Sequence, residues 1–174
     1  MSILGVVRCV LAPFVGLVVF VVSVMALEAV GHAVYPPPPD IVALSTAHGD
    51  AMISGDPERY EKASLALNPA MEAWLTTAPI GPLLAVVIAW VGGGLLGSLA
   101  AAAVATAGRM WFSLLIGAVD VIGILMVTDQ FSHPTWMPIL GILGVILMSL
   151  LAGRLMARSR SALVPVPTIE KTLD

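Results

Sequence analysis

Four stretches of this chain run without a charge, or with a single one, for about the length needed to cross a bilayer. Cys9 to Leu27 carries none. Ala73 to Gly108 also carries none and is too long for one straight span, so Pro79 and Pro82 divide it and a helix is expected from Ile80. Met110 to Thr128 is broken only by Asp120, and Pro134 to Gly153 ends at Arg154. A helix needs about 20 apolar residues to cross ~30 Å of hydrocarbon at about 1.5 Å per residue. The composition agrees. Of the 174 residues, 59% are hydrophobic and 11% charged, whereas soluble domains average about 45–50% and about 25%. That much apolar surface needs an apolar solvent.

The expected fold is all-α: a four-transmembrane-helix bundle forming one membrane domain over residues 1–160. Its spans fall at about 9–34, 80–108, 110–129 and 134–154. A partly helical outer loop covers about 35–79, and a flexible cytoplasmic tail covers 161–174. Pro13 falls in the first turns of the first span, where a missing N–H matters least. Val24-Met25-Ala26 fits a signal-peptidase pattern, but the apolar stretch exceeds the usual h-region, so a retained span is expected. Tyr35 and the four prolines after it stop the first helix and start a stiff extended exit. In the loop, Asp56-Pro57 and Asn68-Pro69 read as helix starts, predicting short helices near 57–67 and 69–78. The second carries Met71, Trp74 and Leu75 on one side. That face suits the membrane interface, and a solvated acidic connector is the plain alternative.

Charge sets the expected orientation. Arg8, Arg109, Arg154, Arg158 and Arg160 fall on one side. Arg59 and Lys62 fall on the other, among Asp40, Asp50, Asp56, Glu58, Glu61 and Glu72. The positive-inside rule then puts both termini in the cytoplasm of a bacterial inner membrane. Trp74, Trp111 and Trp136 lie near span ends, as interfacial rings do. Trp90 does not, and is expected buried or lipid-facing. The single cysteine, Cys9, excludes an intrachain disulfide and a Cys-rich zinc site, and reads as a small apolar residue.

Several residues could carry chemistry. Gly93, Gly97, Ala101 and Ala105 recur every fourth residue and form a smooth stripe for close helix packing. Bundle packing is the plain reading of the stripe, and a docking face for another subunit the sharper one. Ser113, Gly117, Gly141, Ser149 and Gly153 offer small residues on the later helices. Asp120 lies mid-membrane, where a charge costs about 2.5–3.5 kcal/mol or more. It is expected inward-facing, neutral and hydrogen-bonded to Ser98, at the same depth, or to a backbone carbonyl. A proton or ion relay is the alternative. Glu28 and His32 lie one turn apart, as do Asp129 and His133, and topology brings both pairs to the outer side. Two imidazoles and two carboxylates suffice for a zinc-like site and equally for an ordinary polar cluster. The spacing is permissive, no His-Glu-x-x-His pattern supports it, and no metal or cofactor is predicted. No Gly-x-Ser-x-Gly context or phosphate loop occurs, and the basic residues are too scattered for nucleic acid.

Two short patterns carry a resemblance. Glu28-Ala-Val-Gly-His32-Ala-Val-Tyr-Pro-Pro-Pro-Pro closes the first span, and His133-Pro134-Thr-Trp136 opens the fourth. With the glycine-rich second span, the chain resembles a group of small bacterial four-helix membrane proteins that have no assigned reaction. The resemblance covers most of the chain except the outer loop and tail. It implies that the Glu/His and His-Pro-x-Trp features belong together, and that a neutral amide is more usual at the position of Asp120. Three functions follow. The first is a non-enzymatic accessory or scaffold subunit, partnered by the bilayer and by a membrane protein or further copies of itself. The second is an oligomeric transporter or channel subunit using Asp120. The third and weakest is a metal-dependent enzyme at the outer cluster.

Overall fold

The computed structural model describes residues 2–161. The tail expected at 161–174 lies outside the described residues from 162 onward. Six helices follow in order: α1 (Ile3–Val34), α2 (Pro39–Ser54), α3 (Pro57–Thr77), α4 (Ile80–Val104), α5 (Arg109–Gln130) and α6 (Trp136–Ser161). The protein is all-helical, and α1, α4, α5 and α6 are long and apolar enough to span a membrane. Large apolar side chains on these four, among them Phe14, Val18, Val22, Met126, Leu143 and Leu147, face outward. A water-soluble surface does not carry so continuous an apolar belt.

The helix α4 is the centre of the bundle. It lies against α1 on one flank and against α5 and α6 on the other, and α5 and α6 also pack together. The α4 N-terminal half, the α3 C-terminus and the ends of α5 and α6 meet in a core of Leu75, Leu83, Val87, Trp90, Ile124, Met137 and Val145. Trp90 is therefore buried. This is the hairpin end of the bundle. The opposite, terminal end holds the start of α1, the α4–α5 turn and the end of α6.

Local chemistry sets most boundaries, and several differ from the sequence expectation. α1 begins at Ile3 rather than near residue 9, because the Ser2 side chain caps it by accepting from the Gly5 N–H. Pro13 is thus inside the helix, not in its first turns, and leaves the Cys9 carbonyl without a helical donor. With 32 residues, α1 is about 48 Å long and overshoots the hydrocarbon. Tyr35 ends it, and the extended exit lasts only to Pro38. Pro39 then occupies the first turn of a helix the proline run had concealed. Its fixed φ suits that position, and Asp40 follows in the first turn, where the helix dipole favours an acid. Gly55, at φ 68°, ends α2 in the left-handed conformation that glycine adopts without penalty.

The expected break at Asn68-Pro69 is absent, and α3 runs through Pro69. Asp56 caps it, accepting from the N–H groups of Glu58 and Arg59 at 3.0 and 3.3 Å. Leu67, Met71, Trp74 and Leu75 form one stripe on this continuous helix. Leu67 and Leu75 are buried, and Met71 and Trp74 pack on the central core. The helix continues past the proline with this stripe buried, and the Asn68 Oδ1 is buried without a hydrogen-bond partner. This face is occupied by protein. α4 stops at Val104, not near residue 108, and Gly108 turns the chain into α5 at φ 63°.

Candidate functional site

The α4 stripe is spent inside the chain. Gly93 meets Val24 of α1. A Cβ at Gly97 would lie 2.6 Å from the Phe20 Cβ and 2.8 Å from the Gly16 carbonyl oxygen. Gly16 in turn has the Gly97 carbonyl and Ala101 beside it. Gly93, Gly97, Ala101 and Ala105 are all buried. With α1 seated on it, the stripe is not available as a docking face for another subunit.

The next residues along α4 point to the other flank and meet a different chemistry. Ser98, Ser113 and Ser149 form a buried layer across α4, α5 and α6. The Ser113 hydroxyl donates to the Ser149 carbonyl at 2.6 Å. The Ser98 Oγ lies 3.0 Å from the Ser113 carbonyl and 3.1 Å from the Ser149 Oγ. Each hydroxyl has one proton to give. Ser98 therefore donates to the carbonyl and accepts from Ser149, and the three helices are tied in one consistent scheme. Gly117 completes it: the Ser149 hydroxyl fills the space a Cβ there would take.

Asp120 is inward-facing and 2% exposed, but the expected pairing with Ser98 is not made. Its Oδ2 abuts Gly94, with Val145 beside it, and has no hydrogen-bond partner among the described residues. The reason is the early end of α4. A helix running on to Gly108 would set Ser98 level with Asp120, whereas α4 ends at Val104. Ser98 is therefore one turn nearer the terminal end, and Gly94 takes the place opposite Asp120. Only a glycine leaves room there for the carboxyl group.

The outer cluster does not assemble. Among the described residues, no three of the His, Cys, Asp and Glu side chains are grouped so as to hold a metal. Asp129 is exposed on the last turn of α5. His133 lies beside Trp90 and Phe131, with ring centroids 6.3 and 6.4 Å away. Its Nδ1 is 2.6 Å from the Phe131 carbonyl, so that nitrogen carries the proton and donates it. Glu28 and His32 sit elsewhere, on α1 beside a recess walled by Trp74, Pro82, Ala85 and Val86. Glu28 and His32 face α4 and Trp74 while His133 packs beside Trp90 and Phe131, so the two motifs of the resemblance are not brought together.

The terminal end carries a network that residue spacing did not announce. The Arg8 Nε donates to the Val104 carbonyl and the Arg109 Nε to the Ala105 carbonyl, both at 3.1 Å. These are acceptors that the end of α4 leaves free. A second Arg109 nitrogen donates to the Met156 carbonyl of α6 at 2.7 Å. The Thr106 hydroxyl donates to the Gly5 carbonyl at 3.1 Å, and Cys9 Sγ lies 3.3 Å from it. Cys9 is thus part of a polar contact rather than a purely apolar residue. The arginines expected to mark one side also clamp three helix ends together.

Compared with known families, with curated proteins and with solved structures, the chain finds no match. The class rests on the fold alone: a helical membrane protein with four candidate spans, a rooted helical hairpin and a sealed polar layer.

Proposed function

We propose that the protein is a non-catalytic accessory or scaffold subunit of a bacterial-type inner membrane, associating with other membrane proteins. One observation carries this reading. The segment between the first and second spans is two helices packed on each other, of which α3 is rooted at its C-terminal end in the bundle core through Met71, Trp74 and Leu75. An ordered platform of this kind restricts few degrees of freedom on binding, so a partner loses little entropy in docking to it. Its outer surface mixes the exposed carboxylates Asp50, Asp56, Glu58 and Glu61 with exposed Met52, Ile53 and Leu65, Ile53 being 83% accessible. The test is a photo-crosslinking residue at Ile53 in native membranes. A discrete adduct to one membrane protein, lost in Leu65→Asp, is the expected result. An adduct-free monomer in mild detergent defeats the reading.

The same proposal places both termini in the cytoplasm, supported by the arginines gathered at the terminal end. With Cys9→Ala as background, Ser54→Cys should react with an impermeant thiol reagent in intact cells, and protection from it reverses the orientation.

A second reading, an oligomeric transporter or channel subunit using Asp120, is favoured by the unpartnered Asp120 Oδ2 in the middle of the bundle. Proton or ion flux into liposomes that Asp120→Asn abolishes would select it.

A further inference from the structure

We propose that the recess between α1, α3 and α4 at the hairpin end binds the primary ammonium of an ethanolamine phospholipid headgroup. The recess is lined by Glu28, His32, Tyr35, Trp74, Pro82, Ala85 and neighbours. Its free volume is about 10 Å³, room for one water-sized group. A primary ammonium is that size, and a trimethylammonium is not. The walls are mostly apolar, with the Tyr35 and Trp74 rings, the His32 imidazole and a single carboxylate, Glu28. Binding sites for small cations use this composition: ring faces attract the cation, and the carboxylate supplies the charge-assisted hydrogen bond.

Three features make the recess a built one. Tyr35 packs on Gly81, where even a Cβ would lie 2.7 Å from the ring. Gly31 lies against Ala85, so α1 and α4 close the floor tightly. Trp74 is held over it by the α3 stripe that enters the central core. Three helices therefore contribute walls, and the close α1–α4 contacts fix two of them.

Depth assigns the source of the amine. Arg8 and Glu28 lie on the same helix, twenty positions apart, which is about 30 Å at helical rise and equals the hydrocarbon thickness. With Arg8 at one boundary, Glu28 falls at the other, where headgroups lie and free solutes are few. The assignment holds whichever way the protein faces, and it needs no protein partner.

Native mass spectrometry of the full chain in mild detergent tests it, with phosphatidylethanolamine, phosphatidylcholine and phosphatidylglycerol added in equal amounts. Phosphatidylethanolamine should be retained about tenfold over phosphatidylcholine, a preference set by the charged hydrogen bond and fit. Glu28→Gln, nearly isosteric, should erase that preference while helicity and elution volume stay unchanged. Tyr35→Leu, outside the core, should reduce it several-fold and covers the case in which Glu28→Gln fails to fold. Free ethanolamine competing as well as the lipid would keep the ammonium site and move its source to a soluble amine. Equal retention of ethanolamine and choline lipids, or a preference that survives Glu28→Gln in folded protein, overturns the proposal.

Discussion

The two flanks of α4 solve the same problem in opposite ways. Against α1, the Gly93–Gly97–Ala101 stripe brings backbone to backbone with no side-chain hydrogen bond crossing the contact's centre. Against α5 and α6, the residues one step along, Gly94 and Ser98, face a carboxyl group and two hydroxyls. A shift of one residue rotates the helix surface by about 100°, so adjacent glycines in one run serve different neighbours. In lipid no hydrophobic force draws helices together, and close packing and interhelical hydrogen bonds remain as the available glues. α4 uses one on each side. The first depends wholly on shape and should tolerate no added atom. The second should lose strength in steps, one bond at a time.

The largest expected effect attacks the shape-dependent flank. Gly97→Val must separate α1 from α4, because its first atom already collides with Phe20 and the Gly16 carbonyl. A loss of about 3 kcal/mol is expected, the upper range for overpacking, read as the midpoint of unfolding in denaturing detergent. A small change would mean that α1 is only loosely seated. Ser98→Ala attacks the other flank and should cost about 1 kcal/mol, in line with membrane hydrogen bonds. Combined with Ser149→Ala, it should cost less than the sum of the two singles, since they share a bond. Strict additivity would break the serine scheme. Asp120→Asn keeps the shape of a side chain whose Oδ2 has no hydrogen-bond partner to lose among the described residues, so stability should change by about 0.5 kcal/mol or less. A large loss would show that the carboxyl group itself holds the flank. A change of the opposite sign belongs to Gly123→Ala on α5, where nothing lies within 4 Å of an added Cβ. It should be neutral or stabilising by about 1 kcal/mol through helix propensity.

The four spans were legible because length and absence of charge are one-dimensional properties. So was the α1 stop at Tyr35, since a proline run cannot continue a helix. The glycine stripe was visible as a period of four, although nothing in the period named α1 as its neighbour. Other elements were legible only in part. Pro39 carried the same first-turn signal as Pro57 but was masked by the three prolines before it. At Pro69 the local signal was misleading, because burial of Leu67 and Leu75 on a single face outweighs one missing N–H. The Asp120–Ser98 pairing failed on a four-residue error in where α4 ends, which is one helical turn and exchanges one opposing residue for another. Glu28 and His32 were singled out for their spacing, whereas the ring of Trp74 that completes their recess comes from a helix distant in sequence.

By itself the sequence determined the solvent this protein needs, the number of its spans and which residues are small enough for close approach, because hydropathy and side-chain size act residue by residue. Only the tertiary structure decided which flank of α4 each glycine serves, that three serines rather than an acid and a serine form the polar layer, and that the Glu/His pairs stand apart. Those outcomes depend on the relative axial offset of neighbouring helices. That offset is fixed by caps and side-chain contacts from several elements at once, and no single segment encodes it.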